Sequence, residues 1–165
     1  MQGKIILLLL SFTLFSCSDR TDYYAGFNVA IDAITIIAFP ESNNDIDWDK
    51  ESDPDITFKI ANEDGYIFYT CDSTIPIIHK EELPVLIDIK NEYLTQVNHT
   101  YSIALYEIDD SISTIVGKPV LFNPQDLLDS YKNDRNVDEL PKTKRLENEY
   151  ITIKVHLSWD DTSKL

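Results

Sequence analysis

Between Asp45 and Asp55 six carboxylates fall on every second residue: Asp45, Asp47, Asp49, Glu51, Asp53 and Asp55, with Lys50 the only opposing charge. In an extended segment alternate side chains project to one side. Like charges crowded this way repel unless water or a cation relieves them. Calcium, a hard ion that takes about six to eight oxygens, is the counter-ion that suits such a set. A solvated acidic loop explains the same run equally well. Trp48 lies inside it, flanked by Asp47 and Asp49. It reads either as a partner-contact residue at a loop tip or as an indole folded back on the edge of the domain.

The run does not make an EF-hand. Asp45, Asp47 and Asp49 match its first three ligand positions, but Lys50 stands where a glycine must turn the chain. Ile56 stands where a bidentate glutamate must close the site. A second acidic group, Glu107-Ile108-Asp109-Asp110, ends an apolar stretch far along the chain.

Catalytic patterns are sparse. His79, His99 and His156 are the only histidines, and none has a second histidine three or four residues away, as a zinc-binding helix pair requires. There is no Gly-x-Ser-x-Gly elbow, and four glycines in the whole chain leave none for a phosphate-cradling loop. Paired carboxylates for glycoside hydrolysis are uninformative where acids are everywhere. Cys71 ends the strand-like run Tyr66–Thr70 and reads as a small buried hydrophobe, because no neighbour in sequence stabilises a thiolate. The chain therefore reads as a binding protein, not an enzyme, with catalysis of unknown type the last of the alternatives.

The N-terminus carries the other chemically telling residue. Lys4 is the only charge before Cys17, Ile5 to Leu10 is an apolar block, and Ser16 is a small residue just before the thiol. This is the pattern of a secretory signal peptide. The apolar block is short for the roughly 30 Å of a bilayer core, which argues against an anchor helix. Leu14 three residues before Cys17, together with Ser16, resembles the lipobox of bacterial lipoproteins, with Phe15 bulkier than is usual there. The resemblance implies that Cys17 is acylated, becomes the first mature residue and holds the protein on a membrane of the bacterial cell envelope, the outer membrane by default. An ordinary secreted protein is the alternative. Residues 1–16 are then a signal peptide, 17–25 a lipidated tether and 26–165 one domain.

Loss of Lys4 with the leader takes the formal charge from −15 to −16. So negative a surface repels nucleic acid and anionic headgroups and favours cations and basic partners. Solubility alone also accounts for it.

Short segments of period-two patterning place these residues. Phe27–Phe39, Ile56–Ile60, Tyr66–Thr70, Leu83–Ile89, Tyr101–Ile108, Ile115–Phe122 and Tyr150–Trp159 read as strands, and Asp64-Gly65 as a tight hairpin turn. Asn123 and Pro124 announce one short helix over Gln125–Tyr131, and 132–148 reads as a charged loop. Trp159, in phase with Val155 and Leu157, is expected in the core, and His156 on the opposite face. The fold class is all-β, an antiparallel two-sheet sandwich with one short helix before the last strand.

Two distant segments taken together resemble the C2 domain. Asp47 lies six residues before Asp53, which sits in Ser52-Asp53-Pro54 ahead of a strand; Glu107-Ile108-Asp109 ends another strand, and Ile115-Val116-Gly117 opens the next. The resemblance covers most of Ile34 to Trp159 and implies a C2-like sandwich whose loops at one end form a calcium cup. Carried over by position, the ligands are Asp47, Asp53, Glu107 and Asp109. Glu107 replaces the family's aspartate, Thr114 stands where a further aspartate is expected, Glu51 replaces a glycine and Asp55 an aromatic. The family's lysine-rich lipid face is missing over Ile67–Thr74. The expectation is a lipid-anchored docking module that meets a protein partner through its acidic loops, with calcium as cofactor. The alternative is a metal-free scaffold lipoprotein of an envelope or secretion assembly, a reading on architecture alone.

Overall fold

β-branched residues in alternating phase build almost everything in the computed structural model, which describes residues 27–40, 42–43, 46–47, 55–71, 82–94, 97–109, 112–130 and 140–161. The strands are β1 (Phe27–Ala38), β2 (Ser42–Asn43), β3 (Ile46–Asp47), β4 (Ile56–Asn62), β5 (Ile67–Thr70), β6 (Val85–Leu94), β7 (Tyr101–Asp109), β8 (Ile112–Ile115), β9 (Val120–Phe122), β10 (Thr143–Glu147) and β11 (Thr152–Asp161). One helix, α1 (Pro124–Ser130), precedes β10. The strands form two main antiparallel sheets, ordered β10-β11-β1-β6 and β5-β4-β7-β8, with β9 also on β7. Among the described residues β2 and β3 pair only with each other. The expected β-sandwich is what the chain forms.

The core is the pair of inner faces. Val29, Ile31, Ile34 and Ile36 of β1 lie beside Trp159, Leu157, Val155 and Ile153 of β11 in one sheet. Ile56, Phe58 and Ile60 of β4, with Tyr101, Ile103 and Leu105 of β7, line the other. Their aliphatic bodies exclude water from the space between the sheets, the main stabilising term of the fold. All of these buried residues lie between Val29 and Trp159, so the described core is built without residues 1–16.

β1 does not keep a strict alternation. Its inward residues run 29, 31, then 34, 36, because Asp32 is an extra residue relative to β11, where Leu157 pairs with Ile31 and His156 with Ala33. The bulge resets the phase so that all four aliphatic groups face the core. Asp32 accepts a 2.8 Å hydrogen bond from the Ser158 hydroxyl across the strands.

The β4–β5 turn is built as Asp64-Gly65 suggests. Gly65 has φ 80°, its N–H donates to the Asn62 carbonyl at 3.0 Å, and the Asn62 side chain accepts from the Asp64 and Tyr66 amides. The helix also starts where expected: the Asn123 carboxamide accepts from Gln125 N–H at 2.9 Å, and Leu127 and Leu128 are buried.

Two strand expectations need correction. Ile115–Phe122 is not one strand. Gly117, with φ 63°, lifts the chain off β7 and splits the edge into β8 and β9. The expected charged loop over 132–148 contains β10, whose only buried side chain is Leu146. A single apolar residue gives no period to read, and pairing with β11 supplies what the pattern lacks.

Candidate functional site, the acidic rim of the second sheet

The start of β4 and the end of β7 are antiparallel neighbours, so the segments that precede one and follow the other emerge at the same end of the sheet. Ile56 pairs with Glu107, and the Ile108 amide donates to the Asp55 carbonyl at 2.9 Å. The last acid of the alternating run, Asp55, is thereby held beside the Glu107-Ile108-Asp109 strand end, and its side chain is exposed. Register alone achieves this across more than fifty residues of sequence.

Glu107 is half-buried and shares a cross-strand row with Ile56, which is buried, and Thr114, which is exposed. It follows Ile103 and Leu105 in the inward phase of β7, so this carboxylate closes the row of core residues at the rim. Asp109 is the last residue of β7 and pairs with Ile112. Asp47 pairs with Ser42 in the small β2–β3 ladder. Asp53, Trp48 and Cys17 lie outside the described residues, as do Asp45, Asp49, Glu51 and Asp110. Of the four expected ligands, Glu107 and Asp109 therefore stand on one strand end, next to the backbone of Asp55. Among the described residues no group of three or more histidine, cysteine, aspartate or glutamate side chains is placed to hold a metal ion.

Sequence reasoning missed one residue of this rim. Ile112, first residue of β8, is 68% exposed beside Asp109. An aliphatic residue among the polar groups of Asp109-Asp110-Ser111-Ile112-Ser113 is the signal that points to it. A single exposed aliphatic side chain is ordinary on a protein surface and assigns no role by itself.

Among the described residues the other chemically capable groups have structural partners. His156 faces away from the core, as its phase requires, and its Nε2 lies 2.8 Å from the Thr35 hydroxyl. His99, in the turn before β7, has Nδ1 3.4 Å from a Glu63 carboxylate oxygen. His79 lies outside the described residues. Cys71 is a buried member of the core cluster; its amide donates to the Phe58 carbonyl, and its carbonyl accepts from the Thr57 hydroxyl at 3.1 Å. Trp159 is buried as expected, its indole N–H donating to the Pro141 carbonyl at 2.9 Å.

No helix among the described residues is long and apolar enough to cross a membrane. The chain matches no protein-family model, no curated protein and no solved structure.

Proposed function

We propose that this chain is a lipid-anchored docking module of the bacterial cell envelope, attached through Cys17 and binding a protein partner at the acidic rim. The observation that supports this reading most directly is the Ile108–Asp55 hydrogen bond with the Ile56–Glu107 pairing beside it. It sets two acid-bearing segments together at one end of a sandwich, the arrangement expected of a C2-like cup. Calcium is the ion this donor set suits, with Asp47, Asp53, Glu107 and Asp109 as its holders and oxygen as every ligand atom. The reading is non-catalytic: the rim offers carboxylates, which attract cations and basic partners.

Calorimetry tests the rim. Calcium chloride titrated into the chain from Cys17 onward should bind with a dissociation constant on the order of micromolar to millimolar. Asp53→Asn combined with Asp109→Asn should abolish the heat. A flat titration of the unmutated protein removes calcium and leaves only metal-free docking. The anchor has its own test: labelled fatty acid should be incorporated in cells and lost in Cys17→Ser. Absence of label in the unmutated chain overturns the anchor.

A further inference from the structure

Four of the chain's 14 bases stand together at one edge of a molecule with 29 acids. β10 is the edge strand of its sheet, with β11 on one side and no described strand on the other. Lys142, which leads into it, and Thr143, Lys144 and Arg145 are all exposed. Lys154 lies opposite Arg145 on β11. Arg145 is paired with Glu147 at 2.9 Å, whereas Lys142, Lys144 and Lys154 have no carboxylate partner among the described residues. Glu149, just past the strand, is taken by Lys118. The backbone of this edge is open too. The Leu157 amide donates to the Lys142 carbonyl at 2.9 Å, and the Asn148 amide to the Ile151 carbonyl at 3.1 Å. Hydrogen-bonded pairs alternate along an antiparallel ladder. Residues 142, 144, 146 and 148 therefore turn their backbone groups to β11, and Thr143, Arg145 and Glu147 turn theirs away from it. The Asn148 side chain reaches the Lys118 and Pro119 carbonyls, so the Glu147 end abuts the other sheet. Among the described residues the open part of the edge is the run from Lys142 to Arg145, where the cations stand.

We propose that this edge docks an extended, acidic segment of a partner protein, which adds to the sheet as a further strand beside β10. Two observations choose that occupant. The outward N–H and C=O groups of Thr143 and Arg145 are what an added strand bonds to. The lysines then select by charge. They blunt the edge against apolar strands, the usual protection of an exposed edge, and leave it open to a strand whose side chains are carboxylates. The net charge of −15 opposes an acidic segment at long range. At about 0.15 M salt the Debye length is roughly 8 Å, so carboxylates elsewhere on the molecule are screened, and cations touching the added strand much less so. Few backbone groups take part, which makes the contact weak, with a dissociation constant on the order of 0.1 mM. The site belongs to the other sheet from the acidic rim and has the opposite sign, and it depends on neither the anchor nor calcium.

Fluorescence anisotropy of a labelled decapeptide of alternating glutamate and threonine tests this, with residues 17–165 carrying Cys17→Ser, in chelator and about 0.15 M sodium chloride. Saturable binding with a dissociation constant of about 0.1 mM is expected, and a decapeptide of glutamine and threonine binds roughly tenfold more weakly. Lys144→Glu combined with Arg145→Glu removes binding of the acidic peptide. Lys59→Glu, on the other sheet, leaves it unchanged. Thr143→Pro separates strand addition from charge attraction alone. The Thr143 N–H faces away from β11, so proline there keeps the native ladder and takes one donor from the added strand. Affinity then falls several-fold with every charge in place. Circular dichroism and a melting temperature matching the unmutated protein show that each variant is folded. No binding of the acidic peptide up to about 1 mM protein, equal binding of the glutamine peptide, or full binding by Thr143→Pro overturns the proposal. So does capture of phosphatidylglycerol vesicles by the same lysines in place of the peptide.

Discussion

Gly117 is the residue at which backbone and packing constraints coincide. Its φ of 63° is left-handed, and a Cβ there would overlap the Cβ and ring of Tyr150. The two segments are laced together around it. Asn148 donates from Nδ2 to the Lys118 carbonyl at 2.9 Å and the Pro119 carbonyl at 3.2 Å, and accepts at Oδ1 from the Tyr150 and Ile151 amides. Because one side chain serves the edge of one sheet and the turn into β11 of the other, it joins the sheets at that end. Gly117→Ala should cost about 3 kcal/mol in urea unfolding, from left-handed strain plus overpacking; a loss below about 1 kcal/mol would show that the turn relaxes freely. Lys118 and Glu149 flank the same place with a 3.0 Å ion pair. The hydrogen bond from Lys118 holds the Glu149 carboxyl below its usual range, and the bond to Glu149 raises the Lys118 ammonium. The glutamate's share of stability is therefore present above its unfolded pKa and fades as pH falls through the lower folded value. The lysine's is present below its unfolded pKa and fades as pH rises through the raised folded value. Both groups are exposed, so the pair is a reporter and not a pillar. In an NMR titration, Lys118→Gln should move the Glu149 midpoint upward; an unmoved midpoint means the pair does not form in solution.

At the level of elements, β1 shows how little a hydrophobic pattern tolerates a lost residue. Val29 and Ile31 are in phase with each other but not with Ile34 and Ile36, and Asp32 absorbs the difference. Asp32→Ala removes one hydrogen bond to Ser158 at an exposed site and should cost no more than about 1 kcal/mol. Deleting Asp32 is another matter: it turns Ile34 and Ile36 outward or forces β11 and β6 to slip, and no cooperative melting transition should remain. A deletion variant that melts as sharply as Asp32→Ala would mean the bulge can re-form elsewhere in β1. The same strand shows what was legible in the sequence. A run of inward aliphatic residues was visible, and so were the Asp64-Gly65 turn and the Asn123 cap, because each is decided by neighbours a few residues apart. β10 was not, since Thr143-Lys144-Arg145-Leu146-Glu147 has one apolar, buried residue and owes its shape to β11. The break between β8 and β9 was hidden for a similar reason: Gly117 matters because Tyr150 lies over it, a contact no local pattern contains. Of the site, the pairing of the β4 start with the β7 end is set by long-range register, which no local pattern contains. The exposed Ile112 escaped because an isolated isoleucine in a polar turn has no periodicity to mark it.

For the whole molecule, the controlling quantity is an excess of fifteen negative charges over the chain. Self-repulsion of that size raises the free energy of the compact state relative to the expanded chain. Two remedies exist, and they separate cleanly. Monovalent salt screens every pair of carboxylates at once, so the melting temperature should climb smoothly from about 0.02 to 0.5 M sodium chloride. A cation held at the Glu107 rim acts instead by linkage, adding RT ln(1 + [L]/Kd), and saturates the sites without regard to bulk screening. Calcium at about 1 mM in a background of roughly 0.15 M salt changes the Debye length hardly at all, so any rise it causes there is binding. The expected result is a rise of several degrees with calcium, a smaller one with magnesium, which demands a tighter octahedron and sheds water reluctantly, and loss of the calcium increment in Asp53→Asn with Asp109→Asn. Equal shifts with calcium, magnesium and the matching increment of sodium would assign the whole effect to screening and reduce the acidic rim to a solvated surface.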